Sequence, residues 1–264
     1  MMRPGWNPVR RNRNIGTVRQ GHGANNSLVI PESWHSPLRF WERLAGGVKV
    51  RRKIGGKDQL FLVEPPQAGW CYPCSIADMV TILTHCPAED LERFDHIVLR
   101  QPTRKQCILS PVWGRAVPAI EIGNVRGSAI VIEAQPSTGL CWSESRSVSP
   151  ERRRELERLR EDGHRILPSR RCIQILSSME AMRSTVLYRT LLHEIGHHVD
   201  RSSCDPVIRE NRATAEKENF AHLYANKLLA KLAAQGVVPI VPCGQDHSLL
   251  PEGLKPEWFF RQIA

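Results

Sequence analysis

The stretch 191–200 reads Leu-Leu-His-Glu-Ile-Gly-His-His-Val-Asp and carries the pattern H-E-x-x-H at His193, Glu194 and His197. On a helix, histidines four positions apart stand above one another on one face, close enough for their imidazoles to share a metal ion. Two neutral imidazoles and one further ligand hold Zn²⁺ as a Lewis acid with an open position. The carboxylate of Glu194, beside the first histidine, is then placed to take a proton from water. This is a constellation for hydrolysing an amide bond.

A five-residue pattern recurs by chance, and histidines at this spacing could equally face solvent or sit satisfied in a core, so the elements that carry it must supply the rest. Ser177 and Glu180 have the spacing of a capping box. Val186, Leu187, Leu191, Leu192, Ile195 and Val199 follow mostly at three- and four-residue steps, which predicts an amphipathic helix. Gly196 costs that helix about 1 kcal/mol relative to alanine, a sign that another element packs closely there or that the backbone must stay slim beside a metal. A second helix is predicted from Ala213. Its apolar stripe runs through Ala221, Tyr224, Ala225, Leu228 and Leu229, and Glu218 falls on the same stripe one turn earlier. A carboxylate on an apolar face wants a partner, and a metal would be one. Glu216 lies about 200° around the helix from Glu218 and reads as solvated. His198 points about 100° from His197, toward the surface or behind the ligands. Asp200 is either a plain helix-end carboxylate or the group that orients a ligand imidazole through its other nitrogen.

The run H-E-I-G-H-H, followed after a connector by E-x-x-A-x-x-Y-A-x-x-L-L, resembles the zincin metallopeptidases of the ImmA/IrrE type over Leu187–Leu229, about a sixth of the chain. The resemblance implies an α+β, zincin-like fold with His193, His197 and Glu218 as zinc ligands and Glu194 as general base. It also implies limited cleavage of a particular protein. Where many glutamate-zincins carry an acid four residues after the third ligand, this chain has His222, a candidate for supporting the ligands. The metzincin pattern would require glycine at Asp200 and histidine at Ser203.

The rest of the chain must position this centre. With 264 residues and 41% hydrophobic content it can bury one sizeable core, or a catalytic domain with a small companion. No apolar run approaches the ~18 residues of a membrane span, so no membrane partner is expected. Eight scattered cysteines and an N-terminus without the apolar centre of a signal peptide predict reduced thiols and a cytoplasmic protein. The net charge of +10 suits phosphate or acidic partners. Residues 1–30 read as a flexible basic arm, with Arg3, Arg10, Arg11, Arg13 and Arg19 and no acid before Ser27. That arm is a solvated tail or a contact for nucleic acid or an acidic protein.

Residues 31–149 read as the helix-and-sheet part of the domain, 150–171 as a charged helical insertion and 172–264 as the metal-helix region with its tail. A short helix is predicted over Trp34–Leu44, and strands over Val48–Val50 and Gln59–Val63 flank a hairpin break at Gly55-Gly56. Cys71-x-x-Cys74 precedes a helix that runs to His85 and Cys86. Three readings stand for these cysteines: buried free thiols, a second, structural zinc held by Cys71, Cys74 and Cys86 with His85, or thioredoxin-like redox chemistry. Runs at His96–Leu99, Gln106–Leu109, Val117–Ile122 and Ala129–Glu133 predict a small, mostly antiparallel sheet. Ala129–Ile132 is either an edge that binds an extended peptide or a buried central strand.

Gln135–Ser149 reads as a loop. From Ser149-Pro150 a charged helix runs to Asp162 with only Leu156 and Leu159 apolar after its start, as a solvated brace, a docking element or an arm over the cleft. Cys172–Leu176 is a predicted strand, Gly236 a C-cap, and Pro239 bars a regular central strand after it. Trp258–Phe260 predicts a short terminal helix that packs on the core or reaches the cleft. The function expected is a zinc endopeptidase acting on a protein or peptide. Two alternatives are a nucleic-acid- or partner-binding protein with a structural zinc, and a latent zincin that needs an activator.

Overall fold

Gly55 and Gly56, at φ +59° and +92°, close a two-residue hairpin of the kind whose twist matches its strands. They join β1 (Val48–Ile54) to β2 (Lys57–Val63). The computed structural model describes residues 44, 46–109, 111–137, 139–143, 150–169, 172–240 and 252–259. The basic arm and nearly all of the helix expected over Trp34–Leu44 lie outside the described residues.

After β3 (Trp70–Cys71), α1 (Ile76–Thr84) and α2 (Ala88–Leu91), the strand β4 (His96–Arg100) pairs parallel to β2. The next segment, α3 (Arg104–Leu109), is a helix where a strand was expected. Thr103 and Gln106 form the reason: the Gln106 amide oxygen accepts from the Thr103 N–H at 2.8 Å, and Thr103 Oγ1 accepts from the Gln106 N–H at 3.4 Å, the reciprocal bonds of a capping box. The chain then runs along the sheet margin as β5 (Gly114–Ile122) and returns as β6 (Val125–Glu133), inserted between β4 and β5. The strand order is β1-β2-β4-β6-β5. The two hairpins are antiparallel and the pairings of β4 to β2 and β6 are parallel, so this sheet is mixed, while the pairings outside it among the described residues are antiparallel, as expected.

Ala129–Ile132 is therefore the buried central strand and β5 the edge. Pro118 lies in β5 where the pairing register breaks, between Val117 and Ile120. A residue without an N–H is tolerated there because it sits on an edge.

The loop expected over Gln135–Ser149 contains two strands, β7 (Gln135–Pro136) and β8 (Leu140–Ser143). β7 pairs with β3, and β8 pairs with β10 (Cys172–Leu176), which also holds β9 (Arg165–Pro168). Cys141 and Cys172 are joined as a disulfide across this second sheet, a correction to the expectation that all thiols are reduced.

Between β8 and β9 lies α4 (Pro150–Glu161), the charged helix. It is docked, not solvated, since Leu156 and Leu159 are buried in the main core. Its Glu155, with Asp162 just beyond its end, accepts hydrogen bonds from Arg189. The helix that leads to the histidines starts at α5 (Met179–Arg183), capped by Ser178 Oγ rather than by Ser177. It continues through a π-helical stretch, Ser184–Leu191, into α6 (Leu192–Ser203). Val186 to Leu191 and Leu187 to Leu192 are steps of five, the spacing a π-helix stacks, and all four residues are buried.

Two helices follow, α7 (Pro206–Asn211) and α8 (Thr214–Ala234). α8 ends in a Schellman arrangement at Gly236, whose N–H reaches the Ala233 carbonyl while that of Val237 reaches Leu232. No regular strand follows it among the described residues. A single 3₁₀ turn, Pro256–Trp258, seats Phe259 against Tyr72. No helix among the described residues is long and apolar enough to cross a membrane.

Both faces of the central sheet are apolar, with period-two alternation. Phe61, Ile97, Leu99, Ile130 and Ile132 face the main core, which includes Leu192 and Ile195 of α6, and Leu60, Leu62, Val98 and Val131 form a smaller cluster. α6 packs on the main-core face of this sheet, beside β5.

Candidate metal centre and its cleft

α6 and α8 pack antiparallel. The rings of His193 and His222 are 4.3 Å apart at one end, Gly196 meets Ala221 in the middle, and Asp200 accepts a 2.6 Å hydrogen bond from Arg212, just before α8, at the other. A Cβ on Gly196 would stand 3.0 Å from the Ala221 Cα, so the missing side chain lets the helices close. Of the two readings of Gly196, close packing by another element is the one this contact satisfies. Gly114 does the same for β5: a Cβ there would come within 2.6 Å of the Thr190 methyl.

Between the helices, His193 Nε2 lies 3.0 Å from His197 Nε2 and 3.2 Å from Glu218 Oε2, and His197 Nε2 lies 3.5 Å from Glu218 Oε1. A tetrahedron with zinc-to-ligand bonds of about 2.0–2.2 Å has edges of about 3.3–3.6 Å. The three separations are close to that size. Two imidazole nitrogens and a carboxylate converge on one point, where a shared cation could replace the hydrogen bonds that now join them.

His222 belongs to the same cluster. Its ligand atom lies within 4.8 Å of those of His193 and Glu218. By that generous distance His222 completes a triad in place of His197, but the separations near 3 Å favour His197 with His193 and Glu218. His222 is the adjoining fourth group. Four side chains thus converge where the sequence suggested three ligands and a supporting residue.

Glu218 was expected on a buried face and is instead 48% exposed at its side chain, looking into the cleft. Hydrogen bonds from His193 and His197 hold its carboxyl far below the usual range. Burial works against a charged His197, but the hydrogen bond to Glu218 and the negative charge of Glu194 outweigh it and raise its pKa. Burial drives His222 down to about 4, helped by His193 and Arg158. Glu194 is buried, and burial raises its pKa against the lowering effect of the two histidines and of a hydrogen bond from the Ala116 N–H. Nothing in the sequence pointed to Ala116. Pro118, two residues on, was the readable sign that this strand is the edge beside the helix.

Among the described residues Asp200 shows no hydrogen bond to a candidate ligand imidazole, although its charge helps raise the His197 pKa. It is held by Arg212, and His193 Nδ1 is buried without a hydrogen-bond partner among the described residues. His198 is neither superficial nor behind a ligand; it is buried, 3% exposed, with Nε2 3.1 Å from the Ala129 carbonyl oxygen. Burial pushes it down to about 4, so at neutral pH it is an uncharged donor that pins α6 to β6. Glu216 is solvated as expected, 3.7 Å from Arg212.

Among the described residues no metal-type cluster contains Cys71, Cys74 or Cys86, and all three are free thiols. Burial raises each pKa, Cys86 to about 12, the reverse of what redox nucleophiles need. Of the three readings, free thiols is the one this arrangement matches.

Two polar networks that the sequence did not reveal hold the centre from behind. Arg183 makes a buried two-pronged bond to Asp78, which also caps α1. Arg189 grips Glu155 and Asp162, and Asp162 accepts from Thr185 at 2.6 Å. Because the Thr185 hydroxyl donates there, it accepts from His164 Nε2 at 2.8 Å, while His164 Nδ1 accepts from Ser177 at 2.7 Å.

The centre opens into a cleft of about 1000 Å³ walled by β5, α4 and the first half of α8. The described residues of the C-terminal segment do not line it. Comparison with protein-family models, curated proteins and solved structures finds no match to this chain.

Proposed function

We propose that the chain is a zinc-dependent endopeptidase of zincin type, with His193, His197 and Glu218 holding the metal and Glu194 acting as general base. The observation that carries this reading is the trio of separations, 3.0, 3.2 and 3.5 Å, among three donors facing an open cleft. Zinc, when bound, supplies Lewis acidity toward a carbonyl oxygen and toward water.

The chain's own residues would do the rest. Glu194 takes a proton from the attacking water and returns it to the leaving amine. Its raised pKa brings it nearer the range where one group can do both. The Ala116 N–H fixes the orientation of its carboxylate. Because β5 is the edge strand that borders the cleft, an extended peptide can add to it through main-chain bonds, which presents a backbone carbonyl beside Glu194.

A second reading draws on His222. If all four side chains bind the ion, the site is closed, as structural zinc sites are, and the protein is a latent enzyme or a zinc-stabilised binding protein. One comparison separates these. Wild type and Glu194→Gln are loaded with zinc, assayed for metal by elemental analysis, and incubated with unfolded protein whose fragments are read by mass spectrometry. Under the peptidase reading both bind one zinc, and the variant loses about a hundredfold or more of its cleavage rate. Equal fragment yields from the two proteins would sink the general-base role.

A further inference from the structure

We propose that the cleft selects an acidic polypeptide segment, with carboxylates on both sides of the bond presented to the metal centre. The proposal rests on the peptidase reading and adds its substrate class. The antiparallel pairing of α6 and α8 places the four converging side chains between two groups of cations. Arg201 of α6 follows Asp200 and feels the charge of Arg209 of α7, while the charge of Arg158 of α4 reaches His222; Arg154 of α4 and Lys217 of α8 line the same cleft.

The acids of the lining are already engaged. Glu155 and Asp200 are bonded to Arg189 and Arg212, and Glu194 and Glu218 belong to the centre. Among the described residues, Arg154, Arg201, Arg209 and Lys217 form no ion pair, whereas Arg158 sits 3.5 Å from Glu155. Burial and, after it, repulsion from Arg209 lower the Arg201 pKa. Two like charges that line one cleft are stabilised when an anion enters it.

A polypeptide fits better than a nucleic acid for two reasons. The edge strand β5 supplies main-chain pairing along one wall. The two tryptophans of the lining, Trp113 and Trp142, are only 7% and 8% exposed and so offer no stacking platform for bases. A continuous string of phosphates would also run over the carboxylates of Glu194 and Glu218.

The test uses full-length, zinc-loaded protein carrying Glu194→Gln, so that binding is read without turnover. Fluorescence anisotropy compares a labelled Glu-Ala-Gly repeat peptide, its Gln-Ala-Gly counterpart and a labelled oligothymidylate. The acidic peptide is expected to bind about tenfold or more tightly than the glutamine peptide. Arg201→Glu/Arg209→Glu, or Arg154→Glu, should remove most of that preference while zinc content and circular dichroism stay unchanged. The basic arm is intact in all of these proteins, so a preference that survives both reversals lies elsewhere and overturns the proposal.

Equal binding of the two peptides overturns it as well, and so does tighter binding of the oligonucleotide that the same reversals abolish. Cleavage by zinc-loaded wild type tells this failure apart from failure of the peptidase reading. Acidic peptides bound in the cleft but left whole sink the peptidase and leave the preference, whereas glutamine peptides cut as fast as acidic ones sink the preference alone.

Discussion

Gly196 of α6 lies directly against Ala221 of α8, and a Cβ at position 196 would stand 3.0 Å from the Ala221 Cα and 3.2 Å from its carbonyl oxygen. Because the obstacle is backbone, no side-chain rotation relieves it. Gly196→Ala should gain about 1 kcal/mol of helix propensity yet lose more by forcing the helices apart, a net cost of about 1–2 kcal/mol. His193 and His197 ride on one of these helices and Glu218 on the other, so zinc affinity should fall by about tenfold or more. Chemical denaturation and zinc competition with a chelator check both. A variant as stable as wild type with unchanged affinity would show that the contact does not set the spacing of the ligands.

His222 stands beside the three ligand candidates, its ring 4.3 Å from that of His193. If it supports the centre from the side, His222→Ala keeps one zinc per chain and weakens it by about tenfold, while Glu218→Gln weakens it far more. Chelator competition on the two variants measures the difference. Equal losses, with four protein donors in the absorption spectrum of the cobalt-substituted protein, would make the site closed and favour the latent reading.

Asp78 and Arg183 form an ion pair with side chains 2% and 5% exposed, and Asp78 also accepts from the Ser75 N–H. Asp78→Ala strands a buried guanidinium and removes one of the two capping-box bonds of α1, at a cost of about 3–5 kcal/mol. The double variant Asp78→Ala/Arg183→Met should recover part of this, since no buried charge remains. Urea unfolding tests the order, and a double variant less stable than Asp78→Ala would refute the account.

His164 is 4% exposed and burial lowers its pKa to about 4 from an ordinary 6.5. The unfolded chain therefore binds the proton first. This histidine's contribution is full above about pH 6.5 and is lost as the pH falls toward 4, by up to about 3 kcal/mol, and is level below that. His198 and His222 titrate in the same window, so the informative quantity is the difference between wild type and His164→Asn. Its unfolding free energy should depend less steeply on pH between 6.5 and 4, and parallel curves would rule out the assignment.

The local patterns were legible where a short-range rule governs. The four-residue spacing of His193 and His197, the register of Glu218 on its stripe, the hairpin glycines Gly55 and Gly56, and the helix stop at Gly236 each follow from the geometry of one element. Some signals of equal strength were present but went unused. Thr103 and Gln106 spell a helix start ahead of a run that looks like a strand, Pro118 marks an edge, and the five-residue steps from Val186 and Leu187 mark the π-helical stretch.

By itself the sequence determined which side chains carry metal-type donors and which helix faces carry them, because side-chain chemistry and a 3.6-residue period need no information from elsewhere in the chain. Only the tertiary structure decided which strand borders the cleft, that His222 lies beside His193 and Glu218 while Asp200 turns to Arg212, and that among the described residues Cys71, Cys74 and Cys86 join no metal-type cluster. It also decided that His198 is a core donor to Ala129. Each of these depends on partners distant in sequence, and burial and charge at a position are set by whatever the fold brings against it.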